Sequence, residues 1–568
     1  MLESLTSITP ALPLFIGALL VAVTRGMLRN LVMLITPLVG AFGVYSLDAG
    51  MATQAQLMGL ALTPVRVDQL SILFGYLFHL AAFIGVVFAL HVKDKLQDVS
   101  ALAYAGSAVG AVFAGDLLTL FVYWELLAVT SAALVFARRT ERSLHTGIRY
   151  LLMQVGSGVL LLAGAIIYAS QGNGLEFNHI GLDAPGGLLI FLAFGIKSAF
   201  PMLHSWLTDA YPESTPTGTV FLSAFTTKVA IYALARGYAG TEILIYIGAL
   251  MACFPIFYAV IENDLRRVLA YSLINQLGFM VVGIGIGTEL ALNGAVSHAF
   301  NDVLFKGLLM MSMGAVLHVT GEIRGSELGG LYKKMPKTAI LCMIGAASIS
   351  AFPLFSGFVS KSMVVAAALN QGYEAIWLAL LFAAAGVFHH AGIKIPFFAF
   401  FHHDSKHVAT AHEAPTNMLI AMTIGAFFCI GIGSFPHYLY ALLPYQLDYS
   451  PYDVSHVLAQ LQLLAFSALA FTWLKLAHIY PPELKSVNVD IDWLYRRIMP
   501  DSVQLLLARL APIDRNLRTG GLRVIESCIK GLVHHHGSYG ILARTWPTGS
   551  MVMWVAVLLG LSLVLYYL

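Results

Sequence analysis

The chain has 568 residues, of which 58% are hydrophobic and only 11% are charged, and its formal net charge is +2. Soluble domains carry about 25% charged residues, so the composition excludes an ordinary soluble protein and predicts an all-α polytopic membrane protein. The small net charge and the lack of a basic patch with interleaved aromatic residues argue against a nucleic-acid partner. The four cysteines form no CxxC pair, so we predict no metal site and no cofactor.

Apolar stretches long enough to cross a membrane follow one another along the chain. We count about sixteen, centred near residues 15, 38, 80, 107, 127, 158, 196, 227, 251, 276, 305, 348, 385, 426, 467 and 558. The first stretch lacks a basic n-region and a small-residue cleavage site, so we expect it to be a retained span rather than a signal peptide.

Lysine and arginine residues concentrate in alternate loops. The basic loops follow odd-numbered spans and include Arg138–Arg139 and Arg266–Arg267, whereas the main exceptions elsewhere are Arg66, Arg236 and Lys361. The positive-inside rule therefore predicts that the odd loops are cytoplasmic. Both termini are then expected on the non-cytoplasmic side of a bacterial-type inner (plasma) membrane.

The pattern of spans and charges divides the chain into five segments. They are N-terminal transmembrane helices at 1–95, a core at 96–440, an additional transmembrane helix at 441–486, amphipathic helices at 487–545 and a C-terminal transmembrane helix at 546–568. In the fourth segment apolar residues recur at helical spacing, and arginines dominate the polar side. This pattern predicts amphipathic helices on the cytoplasmic surface, separated at Pro500, Pro512 and Gly520–Gly521, although a cytoplasmic linker is the alternative.

Several spans contain ionisable side chains. Lys197 lies in GGLLIFLAFGIKSAFPMLHSWL, and a lysine at the centre of a membrane helix costs on the order of 3 kcal/mol. Glu125, Lys228, Lys306 and Lys394 lie in comparable apolar surroundings. Burial favours the neutral forms of these groups and proximity restores their charged forms, which suits a gated proton relay.

The two halves of the chain contain a similar order of residues. In order, they are Glu125, Lys197 and Pro201 in the first half and Lys306, Lys394 and Pro396 in the second. Proline within a span kinks or breaks a helix, and paired broken helices form the ion sites of many secondary transporters. We therefore predict helix breaks at Pro201 and Pro396, while the order by itself also fits a chance pairing.

One apolar helix carries a polar stripe. His298, Asp302 and Lys306 are spaced four residues apart and fall on one helical face. The stripe indicates an ion path, whereas His298 taken alone favours a structural hydrogen-bond network. The histidine pair His389–His390 has no convincing set of partners for a metal or haem.

Six long motifs between about residues 65 and 440 resemble the antiporter-like membrane subunits of respiratory complex I and the large subunits, of the A and D types, of Mrp-type multisubunit cation/proton antiporters. They are GIKSAFPMLHSWLTDAYPESTPT, KVAIYALAR, ENDLRRVLAYSLINQLGFM, HAFNDVLFKGLLMM, GGLYKKMPKT and SAFPLFSGFVSKS. GIKIPFFAFF and EAPTNMLIAM are closer to the D-like branch of the Mrp subunits. The late surface helices and last span resemble the lateral-helix arrangement of the longest complex I antiporter-like subunit.

The resemblance implies two inverted five-helix repeats, each with a broken helix, and a chain of protonatable residues along the membrane midplane. By motif, Glu125 matches the family's glutamate and Lys197 its first-half lysine. Lys228 matches the lysine of the following helix and Lys306 the central second-half lysine. Lys394 matches the terminal ionisable residue through its Lys-x-Pro sequence.

Asp302 departs from the family pattern, in which many relatives have a second histidine. A carboxylate beside Lys306 favours the charged lysine. Asp302 either alters the relay or supplies a ligand for a cation such as Na⁺, and the sequence leaves both open.

The sequence thus predicts a proton-translocating subunit of a multisubunit complex, with a Mrp-type antiporter that exchanges H⁺ for Na⁺ or K⁺ as the leading interpretation. The alternatives are a subunit of a redox-driven pump such as complex I or a membrane-bound hydrogenase, a membrane subunit of an inorganic-carbon uptake system, and a scaffold with a vestigial path. Expected partners are other membrane subunits, the lipid bilayer and H⁺. The chain has no catalytic motif of its own, so enzyme activity would lie in another subunit.

Overall fold

The computed structural model describes residues 9–57, 59–485, 488–545 and 547–568, which form two units that divide after Asn488. The helices of the first unit are α1 (Leu12–Val23), α2 (Gly26–Tyr45), α3 (Gln69–Ala89), α4 (Lys95–Phe113), α5 (Leu117–Phe136), α6 (Glu141–Tyr168), α7 (Gly187–Lys197), α8 (Ser205–Glu213), α9 (Gly218–Ala224), α10 (Thr226–Gly237), α11 (Ile243–Ile261), α12 (Leu265–Ile286), α13 (Glu289–Thr320), α14 (Pro336–Ile349), α15 (Ser356–Asn370), α16 (Glu374–Phe401), α17 (Thr416–Ser434), α18 (His437–Tyr440) and α19 (Val454–Leu476). The second unit contains α20 (Met499–His536) and α21 (Thr548–Tyr567).

The helical composition confirms the prediction of an all-α polytopic membrane protein. Over the described residues, 12 helices are long and apolar enough to cross a membrane, and α1, α7 and α14 are shorter apolar helices. The count of about sixteen spans and the two inverted repeats stay predictions.

An antiparallel hairpin that the sequence did not predict follows α2. Its strands are β1 (Ala52–Leu57) and β2 (Leu60–Arg66), with Ala52 opposite Arg66. The guanidinium of Arg66 donates to Asn178 Oδ1 at 2.8 Å and to the Phe177 carbonyl at 2.6 Å. The hairpin is therefore fastened to the loop that precedes α7.

Polar caps fix where apolar helices begin. Asp68 accepts from the backbone N–H of Ser71 at the start of α3, and the Ser71 hydroxyl oxygen accepts from the Asp68 N–H at 2.8 Å. Asp116 accepts from the Thr119 N–H at 2.7 Å at the start of α5. These caps satisfy N–H groups that have no partner within the helix, so they set the boundary where hydropathy alone leaves it open.

The chain leaves the helical conformation between α7 and α8. α7 ends at Lys197, α8 begins at Ser205, and Pro201 lies in the link between them. Ala199 and Met202 in this link have φ of 60° and 69°. Such values are rare for residues with a Cβ, so the surrounding packing has to hold the link in place.

The same kind of break occurs between α14 and α15. Here Ala351 and Leu354 have φ of 59° and 72°. The two links begin with the same four residues, SAFP, at 198–201 and 350–353. The second broken helix therefore lies earlier in the chain than the sequence interpretation put it.

The prediction of a helix break at Pro396 is wrong. Lys394–Pro396 is helical, and the flanking segments Phe388–Ile393 and Phe397–Phe401 are wound as π-helix within α16. Wider turns on both sides of a proline accommodate its missing N–H without ending the helix.

Helix α13 lies inside the first unit. It packs against α12, α14, α15 and α17, and every residue from Ala291 to Val316 is buried. A helix that is surrounded by protein must satisfy its polar side chains internally. The stripe on α13 therefore has to find partners on neighbouring helices.

In the second unit, α20 is one helix of 38 residues where the sequence predicted several. Pro500 directly follows the π-helical segment Leu494–Ile498, whose wider turns accommodate the missing N–H without ending the helix. A proline inside a helix costs about 3 kcal/mol and a glycine about 1 kcal/mol, so Pro512 and Gly520–Gly521 weaken α20 without ending it. The domain boundaries predicted at 486–487 and at 546 fall outside the described residues.

Candidate functional site

Lys197 ends α7 and is completely buried. Its Nζ donates to the Trp124 carbonyl at 2.7 Å and lies 4.7 Å from the centre of the Trp124 ring. The carbonyl end of a helix and the face of an indole both attract a cation. These contacts offset part of the hydration that the ammonium group loses on burial.

Glu125 lies near the middle of α5 and faces α6. Its Oε1 is buried and makes no hydrogen bond within the described part of the chain. A Cβ on Gly158 of α6 would collide with Oε1, so glycine provides the space for the carboxylate. Glu125 and Lys197 interact electrostatically, and together they form the first cluster of the site.

Tryptophan side chains hold the elements around this first cluster. Trp206, on α8, donates from Nε1 to the Ile196 carbonyl at 2.8 Å, which satisfies a carbonyl near the end of α7. Trp124 donates from Nε1 to Ser157 Oγ on α6 at 2.9 Å. Trp206 therefore holds the end of α7 at the break, and Trp124 holds α5 against α6 beside the Glu125–Lys197 pair.

The second cluster is built on an ion pair between α10 and α13. Lys228 Nζ lies 2.6 Å from Asp302 Oδ2, and both side chains are completely buried. Lys228 also donates to the Ser223 carbonyl at 3.0 Å. The sequence interpretation placed Asp302 beside Lys306 on the same helix, but the carboxylate pairs directly with Lys228 from the first half of the chain.

Lys306 lies one turn further along α13. Its Nζ donates to Ser272 Oγ of α12 at 2.8 Å, and it interacts electrostatically with both Asp302 and Lys228. Asp302 therefore stabilises charge on more than one lysine. A single carboxylate shared among buried ammonium groups is an arrangement in which charge can shift from one partner to another.

His298 connects three helices. Its Nε2 lies 3.1 Å from Gln276 Oε1 on α12, and its Nδ1 lies 2.9 Å from Ser360 Oγ on α15. Because the amide oxygen only accepts, this pattern places a proton on Nε2 of His298. The network fits the structural interpretation of His298 and also holds the polar stripe in place.

Lys361 is a buried lysine that the sequence interpretation counted as a loop residue. It lies in α15 just after the second break, where Nζ donates to the Ile349 carbonyl at 2.7 Å and lies 5.1 Å from the Phe279 ring. Asp302 interacts with it electrostatically. The repeated SAFP sequence was the signal that could have identified this lysine.

Lys394 lies apart from both clusters, at the carbonyl end of α11. Its Nζ donates to the carbonyls of Val260 and Glu262, each at 2.7 Å. It also lies 2.9 Å from Glu483 Oε1. The sequence interpretation gave Glu483 no role, because this residue follows the last helix of the first unit.

A metal site finds no support in the described ranges. No group of three or more His, Cys, Asp and Glu side chains among them could hold a metal ion. A Na⁺ ion at Asp302 would have to compete with the ammonium group of Lys228.

Residues 114–388 match the family model described as "NADH:quinone oxidoreductase/Mrp antiporter, TM". The chain is 31% identical over 363 residues to the D subunit of the Na(+)/H(+) antiporter of Alkalihalophilus pseudofirmus, which covers 59% of this chain and 72% of that protein. It is 30% identical over 424 residues to the A subunit of the antiporter of the same organism, covering 66% of this chain and only 53% of that longer protein.

The fold is similar to a chain in the structure of the Mrp complex from Dietzia sp. DQ12-45-1b, with a TM-score of 0.78 and 23% identity, covering 94% of this chain and 63% of that chain. The residues that match the family model include both broken helices and both clusters of buried charged groups. The chain therefore belongs to the NADH:quinone oxidoreductase/Mrp antiporter transmembrane family.

Proposed function

We propose that this chain is a proton-translocating subunit of a multisubunit membrane complex, and that the complex is a Mrp-type cation/proton antiporter. Two relatives are named as Na(+)/H(+) antiporter subunits, which supports this assignment. The partners would be other membrane subunits, with H⁺ exchanged for Na⁺ or K⁺. The membrane would be a bacterial-type plasma membrane.

The buried Lys228–Asp302 ion pair is the observation that carries the proposal. It is the contact by which the charged groups of the two halves meet, and Lys306 and Lys361 interact with the same carboxylate. When Asp302 pairs with Lys228, it is less available to stabilise charge on the other two lysines. Opening the pair would favour proton uptake by Lys306 or Lys361, so proton positions in the second half would respond to the first.

The first cluster would work by a similar exchange. Lys197 now donates to a backbone carbonyl, while Glu125 Oε1 is buried without a hydrogen bond among the residues described. A shift of the ammonium group towards Glu125 would let the pair exchange a proton. The proposed order of the path is then Glu125, Lys197, Lys228 with Asp302, Lys306 and Lys361, while His298 orients the helices.

The two breaks support the proposed inverted repeats. Lys197 precedes the first SAFP link, whereas Lys361 follows the second. Two repeats of opposite orientation would place the lysine before the break in one repeat and after the break in the other.

Contacts among the basic loops support the proposed orientation. Arg138 and Arg266 come from two loops that the charge pattern assigns to the same side. Both donate to the Pro212 carbonyl, at 2.8 Å and 3.0 Å. The positive-inside rule makes that side cytoplasmic, with both termini opposite.

The test is to purify the complex from native membranes, identify the co-purifying subunits and reconstitute it in vesicles. Lys197→Ala should abolish cation-dependent proton movement and leave assembly intact, whereas Lys337→Ala, at an exposed position in the first turn of α14, should behave as the unmodified chain. Full activity of Lys197→Ala would refute the relay. Co-purification of redox subunits without antiport would instead assign the chain to a redox-driven complex.

A further inference from the structure

The π-helical part of α16 carries two histidines next to Lys394. His390 is completely buried, and neither of its ring nitrogens makes a hydrogen bond of normal geometry among the described residues, although the Gly386 carbonyl is close. His389 is half-buried, and its Nε2 is likewise without a partner in the described part. Leaving such a buried group unsatisfied costs about 1–3 kcal/mol, and single π-helical turns are frequent at functional sites.

His390 interacts electrostatically both with the second cluster and with Lys394. The ionisable groups that act on it electrostatically are Lys306, His389 and Lys394, in that order. The histidine pair is therefore the candidate connection between Lys394 and the buried stripe of α13. Imidazole can accept a proton on one nitrogen and release one from the other, so a histidine pair can carry protons in sequence.

Glu483 completes the series at the outer end. Its side chain is only 5% exposed, and its Oε1 lies 2.9 Å from Lys394 Nζ. The neighbouring residues Pro482 and Leu484 are exposed. Glu483 is therefore a buried carboxylate whose neighbours on both sides in the sequence are exposed at the protein surface.

The segment that carries Glu483 is also fastened to the core by two contacts that follow Glu483 in the chain. Lys485 Nζ lies 2.6 Å from Glu327 Oε1, and Asn488 Nδ2 donates to Glu262 Oε2 at 3.1 Å. Glu262 also precedes the basic residues at the start of α12. The segment therefore lies at the same end of the helices as Arg266 and Arg267.

We propose that His390, His389 and the Lys394–Glu483 pair form a proton branch from Lys306 to the surface on the side of Arg266 and Arg267. The branch rests on the proposed function, because it supplies the same relay. A proton passes from the Lys306 ammonium to His390, from there to His389, and then to the Glu483 carboxylate, directly or across water. Each step moves one proton and no electrons, and Lys394 is the positioning residue that holds Glu483 at the end of α11.

The competing interpretation is purely structural. Lys394 caps the carbonyls of α11, and Glu483 would simply clasp the segment onto the core. This interpretation explains Lys394, but it leaves the buried nitrogens of His390 without a role. Glu327→Gln offers a matched control, because it removes the other ion pair that clasps the same segment.

The experiment compares Glu483→Gln, His390→Gln and Glu327→Gln in the intact complex in vesicles, with Lys197→Ala as reference. We expect the first two to slow proton movement at least about tenfold. This threshold is conservative, because a positioned proton-transferring group contributes about a hundredfold or more to a rate. Glu327→Gln should stay within about twofold, as surface substitutions do. Formate, a small weak acid, should raise the rate of Glu483→Ala by more than it raises the rate of His390→Gln, because a permeant acid leaks protons into every vesicle and only a missing carboxylate would be replaced by it.

The outcomes separate the two proposals. Normal rates in Glu483→Gln and His390→Gln, with Lys197→Ala inactive, would overturn the branch and leave the proposed function standing. Equal losses in Glu483→Gln and Glu327→Gln without formate rescue would reduce Glu483 to a clasp. Normal proton movement in Lys197→Ala would count against the proposed function itself. If the Glu483 variants fail to assemble, the rate of His390→Gln decides the branch alone.

Discussion

Asp302→Asn should damage the protein in two separable ways. The substitution keeps the size of the side chain but removes the carboxylate that lies 2.6 Å from Lys228 Nζ, where both side chains are completely buried. Lys228 then keeps its bond to the Ser223 carbonyl but loses its counter-ion. The ammonium group must either stay charged in an apolar interior or give up its proton.

The size of the effect follows from the burial of the pair. Removing one member of a buried ion pair costs about 3–5 kcal/mol, because the other charge is left uncompensated. If the same free energy is lost from the transporting state, proton movement should fall at least about a hundredfold. Lys306 and Lys361 lose the same counter-charge, so the loss is not confined to Lys228.

A double-mutant cycle separates stability from transport. Thermal unfolding and vesicle proton movement are measured for Asp302→Asn, Lys228→Met and the double variant. The double variant should regain most of the lost stability, because no unpaired charge stays buried. Its transport should stay low, because both members of the path are gone.

Two results would contradict this reasoning. The first is Asp302→Asn stability within about 0.5 kcal/mol of the unmodified protein, the range of ordinary surface substitutions. The second is transport that recovers together with stability in the double variant, since the pair would then matter only for folding.

Two further pairs of substitutions test the geometry around the site. Gly158→Ala should reduce transport and stability because its Cβ would collide with Glu125 Oε1. Gly156→Ala, whose Cβ would have nothing within 4 Å, should be neutral or stabilise α6 by up to about 1 kcal/mol. Equal behaviour of the two variants in vesicle transport and thermal unfolding would refute the packing argument. Ala199→Gly and Ala351→Gly should each raise thermal stability by about 1 kcal/mol, because glycine adopts φ near 60° without strain, and a lower unfolding temperature would show that the methyl groups are needed for packing.

The class of the fold was predictable because it depends on composition and segment length. An apolar stretch as long as a membrane span predicts a transmembrane helix whatever that helix packs against. The broken helices were harder to locate, because a proline does not by itself end a helix. Pro396 lies inside α16 between π-helical segments, whereas the repeated SAFP at 350–353 marks a real break.

The sequence by itself determined which helices carry costly ionisable groups, because hydropathy and helical spacing are local properties. Only the tertiary structure decided how those groups are paired. Asp302 contacts Lys228 on another helix rather than serving Lys306 alone, and Lys394 contacts Glu483 from a distant segment. The physical reason is that a buried charge is stabilised by the groups that lie within a few ångströms of it, and helix packing decides which groups those are. The sequence of a single helix does not determine how that helix packs against the others.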